Sequence, residues 1–367
     1  MFDRRLIEQF DWMLLLIVSC ISVIGFISIY SASINYQNVF PYYQKQLIWF
    51  AIGLVIMFLV TLLDYRILCQ LSFWAHLALI VLLVVVLLYG TGGSGSRVNR
   101  WISIGPLFFQ PSEFVKFSLV LYLANYFNDS RRINNLGFKD IIWPLVVTLV
   151  PFILIMKQPD LSTASILLIV AVSIIFLVGL RLRLILITGI SGLISLPIIW
   201  FFILVPYQRD RILTFINPES DPLGKGYQII QSKIAVGSGQ FWGKGFLEGT
   251  QAKLNFLPAR HTDFIFSVFT EEWGFVGGIT LIGIYIFLIA RCLHYVGKTK
   301  DRSGTILTFG VTSIFVTHII INIGMVLGLF PIVGMPLPFM SYGGSAMISN
   351  MIGIGLILNV RIRRYQY

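Results

Sequence analysis

Long apolar runs separated by short polar stretches dominate the chain, and "LALIVLLVVVLLYG" is typical of them. Ten such segments stand near 12–30, 47–63, 71–89, 113–127, 141–156, 161–180, 184–205, 264–290, 305–329 and 343–360. A membrane-spanning helix needs roughly 20 residues, with a range of about 17–25. The fourth and fifth segments are short by that measure, and the fourth carries charge. The pattern predicts an all-α polytopic membrane protein of about ten transmembrane helices, a single integral membrane domain over residues 1–367. One large loop, about 206–263, joins the seventh and eighth helices. The first segment begins at Trp12 after "MFDRRLIEQFD" and shows no small-residue cleavage site, so it is expected as a retained helix.

Composition sharpens this picture. Hydrophobic residues make up 57% of the chain and charged residues 12%, about half the charge of a soluble domain. The net charge of +11 does not point to nucleic acid in such a chain. It fits basic loops on the cytoplasmic face that meet anionic lipid. Basic residues of the short loops, among them Arg66, Arg181, Arg291 and Arg361, fall mostly on one side if both termini are cytoplasmic. The opposite short loops hold only Lys45, Arg97, Arg100 and Lys157, so the large loop is expected to face outward. Cys20, Cys69 and Cys292 form no CxxC pair and suggest neither a disulfide framework nor a zinc site.

The large loop is rich in Ile, Phe, Leu, Trp and Tyr, which argues against disorder and for short helices along the membrane surface. Residues 90–112 add a glycine-rich loop on the same side. Ionisable residues near apolar segments are costly and face a cavity or a partner. In "QPSEFVKF" Glu113 and Lys116 lie three apart on one helix face, as a buried ion pair, a polar cavity wall, or both. In "KQPDLSTAS" Asp160 suits a helix start, where it is either a cap or a residue of the substrate cavity. In "LPARHTDFIFSVFTEEWG" Asp263 stands where the large loop meets the eighth helix. It is either a cap, a role Thr262 could fill equally well, or a half-dry general base. Glu271 and Glu272, two turns further on, read as helix-packing or cavity residues. In "PLPFMSYGGSAMISN" irregular backbone carrying Ser341 and Ser345 enters the tenth helix, which suits a cavity wall or a plain turn.

Other chemistries fit less well. "GSGQFWGKG" lacks the closing Ser or Thr of a phosphate-binding loop. "HTD" offers only two metal ligands. A buried pair of Ser345 and His318 would suit an intramembrane serine protease, but nothing else supports one. A transporter fits the many helices and buried charges. It leaves a long, ordered, basic loop on one face unexplained.

Taken together, "NRWISIGPLFFQPSEFVKF", "KQPDLSTAS", the stretch from "YQRDR" to "FLPARHTDFIFSVFTEEWG" and "GMPLPFMSYGGSAMISN" resemble the SEDS family of shape, elongation, division and sporulation proteins. The likeness runs over essentially all ten spans. "ESDPLGKGYQ" and "FLPARHTDFIF" most resemble its elongation branch, with the division branch as the near alternative.

The resemblance implies a peptidoglycan glycosyltransferase in the bacterial cytoplasmic (inner) membrane, with its active site on the outer face. Such enzymes polymerise lipid II into β-1,4-linked glycan and release undecaprenyl pyrophosphate. It also implies a class B penicillin-binding protein as crosslinking partner, and other elongation-complex membrane proteins. The family's essential aspartate falls on Asp263, within "TDF". Its Glu and Lys fall on Glu113 and Lys116, and its arginines on Arg100 and Arg211. Ala259 departs from a Glu common at that place. A hydroxyl acceptor needs a base, for which Asp263 is the candidate. A pyrophosphate leaving group needs cations, for which Arg100, Lys116, Arg211, Lys233 and Lys244 are candidates. A divalent cation, Mg or Mn, bridging pyrophosphate to Glu113 or Asp160 is compatible with these acids, though no complete ligand set is visible. A lipid II flippase is the alternative function.

Overall fold

The computed structural model describes residues 9–34, 41–92, 100–105, 107–128, 136–181, 194, 197, 199–203, 206–221 and 224–363. Among them the chain forms α1 (Trp12–Ser33), α2 (Tyr42–Leu62), α3 (Tyr65–Tyr89), the hairpin of β1 (Ile102–Ile104) and β2 (Leu107–Phe109), α4 (Pro111–Asn128), α5 (Phe138–Lys157) and α6 (Leu161–Val178). There follow α7 (Pro206–Ile216), α8 (Lys225–Ser238), α9 (Thr250–Lys253), α10 (Ile265–Lys298), α11 (Arg302–Val326) and α12 (Gly344–Arg363). Short π and 3-10 turns occupy Ile199–Ile203 and Pro218–Ser220.

Eight of these helices are long and apolar enough to cross a membrane: α1, α2, α3, α5, α6, α10, α11 and α12. The chain is an all-α polytopic membrane protein. The fourth expected span is α4, which Glu113 and Lys116 make less apolar. It sits at the centre of the bundle, packed by α3, α11, α6, α12 and α5. The seventh expected span, 184–205, falls mostly outside the described residues, as do Arg97 and Arg183.

Scarce acids start several helices. Asp11, Asp64, Asp160 and Asp301 each accept a backbone N–H in the first turn of α1, α3, α6 and α11. These N–H groups have no partner inside the helix, and a carboxylate also suits the positive end of its dipole. Small residues set the closest packing. A Cβ at Gly344 would stand 2.6 Å from the Trp49 ring, and one at Gly355 would stand 2.8 Å from the Met57 carbonyl oxygen. Close backbone approach of this kind is the usual way spanning helices associate.

Three features depart from the expected pattern. The fifth helix runs longer than its apolar core, from Phe138 to Lys157, and takes Pro144 and Pro151 inside it. A hairpin stands in the expected loop before α4. The eighth expected span is part of a 34-residue helix broken at Gly274 (φ 66°, ψ −163°). An unbroken helix of that length would reach about 51 Å, well beyond a hydrocarbon layer of roughly 30 Å. The break is filled by the α8–α9 loop. Phe275 N–H donates to the Gln240 carbonyl at 2.8 Å, while Lys244 and Gly245 N–H donate to the Glu271 and Glu272 carbonyls at 3.0 Å each. A Cβ on Gly274 would lie 2.3 Å from Gly243 N, so only glycine permits this seat.

Candidate active site

Asp263 lies in a tight turn just before α10. The N–H groups of Thr262 and Asp263 both donate to the Ala259 carbonyl at 3.1 Å. The N-cap of α10 is Phe264, and no side chain caps this helix. Asp263 therefore does not do what Asp11, Asp64, Asp160 and Asp301 do. Thr262 does not cap either, since its Oγ1 donates back to the Ala259 carbonyl at 3.2 Å.

The turn is held from outside. Arg260 is buried and donates through Nε to the Ala32 carbonyl at 2.6 Å, tying the turn to the end of α1. Three successive carbonyl oxygens are then fixed by two neighbours, the segment 334–342 and α11. Tyr342 N–H donates to His261 O at 2.9 Å, Ser341 Oγ to Thr262 O at 2.6 Å, and Asn322 Nδ2 to Asp263 O at 3.0 Å. The segment 334–342 thus forms a wall beside this turn. Gln46 steadies it by donating to Ser341 O at 2.9 Å and accepting from Gly343 N–H at 3.1 Å. The His261 ring stacks on Tyr42 at 4.5 Å.

The Asp263 carboxyl is half-buried, and its pKa is pushed up to about 6. Burial is the main cause and the charge of Asp160 adds to it. The nearby Thr262 hydroxyl and the charges of Arg100 and Arg211 work in the opposite direction. Four residues singled out in the sequence therefore share one electrostatic environment: Asp263, Asp160, Arg100 and Arg211. His261 is held down to about 4 by burial and by Arg260, so it is neutral near pH 7.

The surrounding residues have distinct partners. Arg100 donates through Nε to the Gln158 carbonyl at 3.1 Å and also to the Pro159 carbonyl, fixing the turn before α6. Asp160 accepts from Thr163 N–H at 3.2 Å and from Thr163 Oγ1 at 2.9 Å, so it caps α6 while its charge acts on Asp263. Glu113 and Lys116 form a buried pair at 2.9 Å. Lys116 Nζ also donates to His318 Nε2 at 3.0 Å, and Ser349 Oγ lies 3.4 Å from Glu113. Because a lysine only donates, His318 accepts at Nε2 and keeps its proton at Nδ1, which faces the Pro336 carbonyl at 3.2 Å.

Other candidates lie apart from Asp263 in their contacts. Lys244 pairs with the fully buried Glu271 at 2.6 Å and Thr250 Oγ1 at 2.8 Å, pinning the loop that fills the α10 break. Lys233 is exposed and lies over Gly328 at the end of α11. Ser345 Oγ accepts from Gln110 N–H at 3.1 Å and donates to Phe108 O at 3.2 Å, tying the hairpin to α12. These bonds do not pair Ser345 with His318. Among the described residues no three His, Cys, Asp or Glu side chains gather to hold a metal ion.

Sequence reasoning missed Asn322, Gly334 and Gln46. A signal existed for the first: His318 and Asn322 stand four apart in the apolar run "HIIINIGMV", on one helix face. Gly334 gave none, since its nearness to Asp263 comes from tertiary structure alone.

Many spanning helices around a buried polar centre define a multi-pass membrane protein. The family model of the cell cycle proteins FtsW, RodA and SpoVE matches residues 11–366, and the chain belongs to that family. It is 41% identical over 314 residues to the peptidoglycan glycosyltransferase MrdB of Escherichia coli, covering 86% of this chain and 84% of that one. It is 32% identical to the peptidoglycan glycosyltransferase RodA of Treponema pallidum, covering 98% and 99% of the two chains. Among solved structures, a chain reported as structural coordination of polymerization and crosslinking by a peptidoglycan synthase complex superimposes with a TM-score of 0.83 at 34% identity. It covers 98% of this chain and 99% of that one. The likeness to the elongation branch inferred from "FLPARHTDFIF" is thereby shown.

Proposed function

We infer that the chain is a peptidoglycan glycosyltransferase of the RodA type. Its substrate is lipid II, taken with both lipid tails in the outer leaflet of the bacterial cytoplasmic membrane. The acceptor hydroxyl oxygen attacks the anomeric carbon of the donor sugar, and Asp263 takes the hydroxyl proton as that bond forms. The bond from the anomeric carbon to the pyrophosphate oxygen breaks, and undecaprenyl pyrophosphate leaves. Direct displacement inverts the α-linked donor into a β-1,4 link.

One observation carries this reading. Asp263 starts a helix without capping it, while every carbonyl of its turn from His261 to Asp263 is anchored. A base should have a pKa near the working pH, and about 6 leaves Asp263 mostly ionised at neutral pH. Arg100 and Arg211 act on the same space and suit the charge that gathers on the leaving pyrophosphate. Lys116, set between Glu113 and His318, has the place of a polar floor. Asp160 is the acid that would help hold a Mg or Mn ion, which would supply positive charge for the leaving pyrophosphate, because Lys116 already neutralises Glu113.

The bias of basic residues supports cytoplasmic termini and an outward-facing site. The likeness to a chain from a peptidoglycan synthase complex supports a class B penicillin-binding protein as partner. A lipid II flippase is not favoured, because the relatives are named as glycosyltransferases. The test is polymerisation of lipid II by the purified chain with its partner present and the partner's transpeptidase blocked. Long glycan strands support the reading, and no strands from a folded, active partner complex would overturn it.

A further inference from the structure

Asn322 and His318 stand one turn apart on α11 and grip consecutive residues of the extended segment after Gly334. Asn322 Nδ2 donates to the Met335 carbonyl at 2.6 Å, and His318 Nδ1 faces the Pro336 carbonyl at 3.2 Å. The same Asn322 amide nitrogen donates to the Asp263 carbonyl at 3.0 Å. Gly334, next in the gripped segment, backs directly onto the acid: a Cβ there would stand 3.2 Å from Asp263 Oδ2. The wall behind the carboxylate and the backbone that carries it are thus hung from one side chain.

Asn322 is fully buried, and both of its amide hydrogens have acceptors. Its Oδ1 is buried with no partner among the described residues. An unpaired buried acceptor is a cost that an apolar residue would not carry, so what this position contributes lies in its two donated bonds. The helix is already apolar around it and needs no polar group for its own stability.

We propose that Asn322 is a positioning residue for the transfer reaction, setting the Asp263 carboxylate against the Gly334–Pro336 wall by bridging Asp263 O and Met335 O. The proposal rests on the reading of Asp263 as the base. Correct placement of a catalytic group within a fraction of an ångström is worth large rate factors, and its loss falls on kcat more than on KM.

The test is lipid II polymerisation by Asn322→Ala and Asn322→Ser in the complex with the transpeptidase partner, beside wild type and Asp263→Asn, with each folded fraction read from a thermal melt. Among the described residues the charged groups acting on Asp263 are Asp160, Arg100 and Arg211, and these three, with His261 two positions before it in the chain, are intact in the Asn322 variants. The expected result for Asn322→Ala is a ten- to hundredfold lower kcat per folded molecule, with KM within about twofold and a displaced acid limb of the pH profile. Asn322→Ser, which keeps one donor, should lie between. Should the alanine variant fail to accumulate, the serine variant is read by the same standard. Full kcat and an unmoved pH profile in a folded Asn322 variant, with Asp263→Asn inactive, would overturn the proposal and leave the base assignment standing. Full activity of Asp263→Asn would overturn both.

Discussion

Ser341 Oγ donates to the Thr262 carbonyl at 2.6 Å while accepting from Leu337 N–H at 2.8 Å. One hydroxyl therefore joins the turn that carries Asp263 to the wall that faces it. Ser341→Ala removes both bonds and leaves the buried Leu337 N–H without this partner, a cost of about 1–3 kcal/mol, together with the half-buried Thr262 carbonyl. The expected outcome is a lower melting temperature in detergent and a several-fold fall in polymerisation rate. Unchanged melting would show that the two groups find other partners.

Asp263 links activity and stability to pH with opposite signs. Its folded pKa, about 6, lies above the ordinary carboxylate value, so the fold favours the protonated form. That contribution is fully present below about pH 4 and is lost as pH rises through about 6. Asp263→Asn should therefore melt higher than wild type at pH 8, by about 1–3 kcal/mol, and equal to it at pH 4. Catalysis needs the ionised form, so wild-type polymerisation should fall as pH drops through about 6. Arg100→Gln or Arg211→Gln should move that limb to higher pH, and Asp160→Asn to lower pH. A limb that ignores all three would separate it from Asp263.

The buried pair of Glu113 and Lys116 should show strong non-additivity. Glu113→Gln leaves the Lys116 charge facing only the neutral His318, a situation that costs about 3–5 kcal/mol in buried pairs. The double variant Glu113→Gln/Lys116→Met removes the stranded charge and should regain much of the lost stability. Activity should stay low, because the polar floor is gone. A double variant less stable than the single one, measured by thermal unfolding, would contradict this account.

Gly334→Ala is the smallest change that touches Asp263 from behind. The residue has φ 70°, a region costly for alanine by about 1 kcal/mol, and the new methyl would meet Asp263 Oδ2 at 3.2 Å. The expected outcome is a modest loss of thermal stability with at least a tenfold loss of kcat. A loss of stability with full kcat would show that the carboxylate moves freely against this wall.

Hydropathy alone located most of the bundle, because a spanning helix leaves a run of about 20 apolar residues. It marked α4 as charged, and α4 is the helix buried at the centre. It did not show the break at Gly274, since a glycine inside an apolar run looks the same whether straight or kinked; the kink depends on the α8–α9 loop seated against it. The hairpin of β1 and β2 escaped because each strand has only three residues. For the site, a scarce acid beside an apolar run marked Asp263 as either a cap or a base, and only the family resemblance assigned it the base's role. The pattern alone could not distinguish Asp263 from Asp160, which does cap its helix. Lys244 was picked for its charge, and its buried partner Glu271 lies 27 residues further on. Asn322 reaches Asp263 across 59 residues of chain and Ser341 reaches its neighbour Thr262 across 79, while Gly334 backs onto the Asp263 carboxylate, relations that only the folded structure displays.

The most direct test of the central claim is the polymerisation of lipid II by wild type and by Asp263→Asn, each purified with its partner and each shown folded by a thermal melt. Long glycan strands from wild type and none from a mutant that still binds lipid II are the expected result. Strands of equal length and rate from both would remove Asp263 as the base.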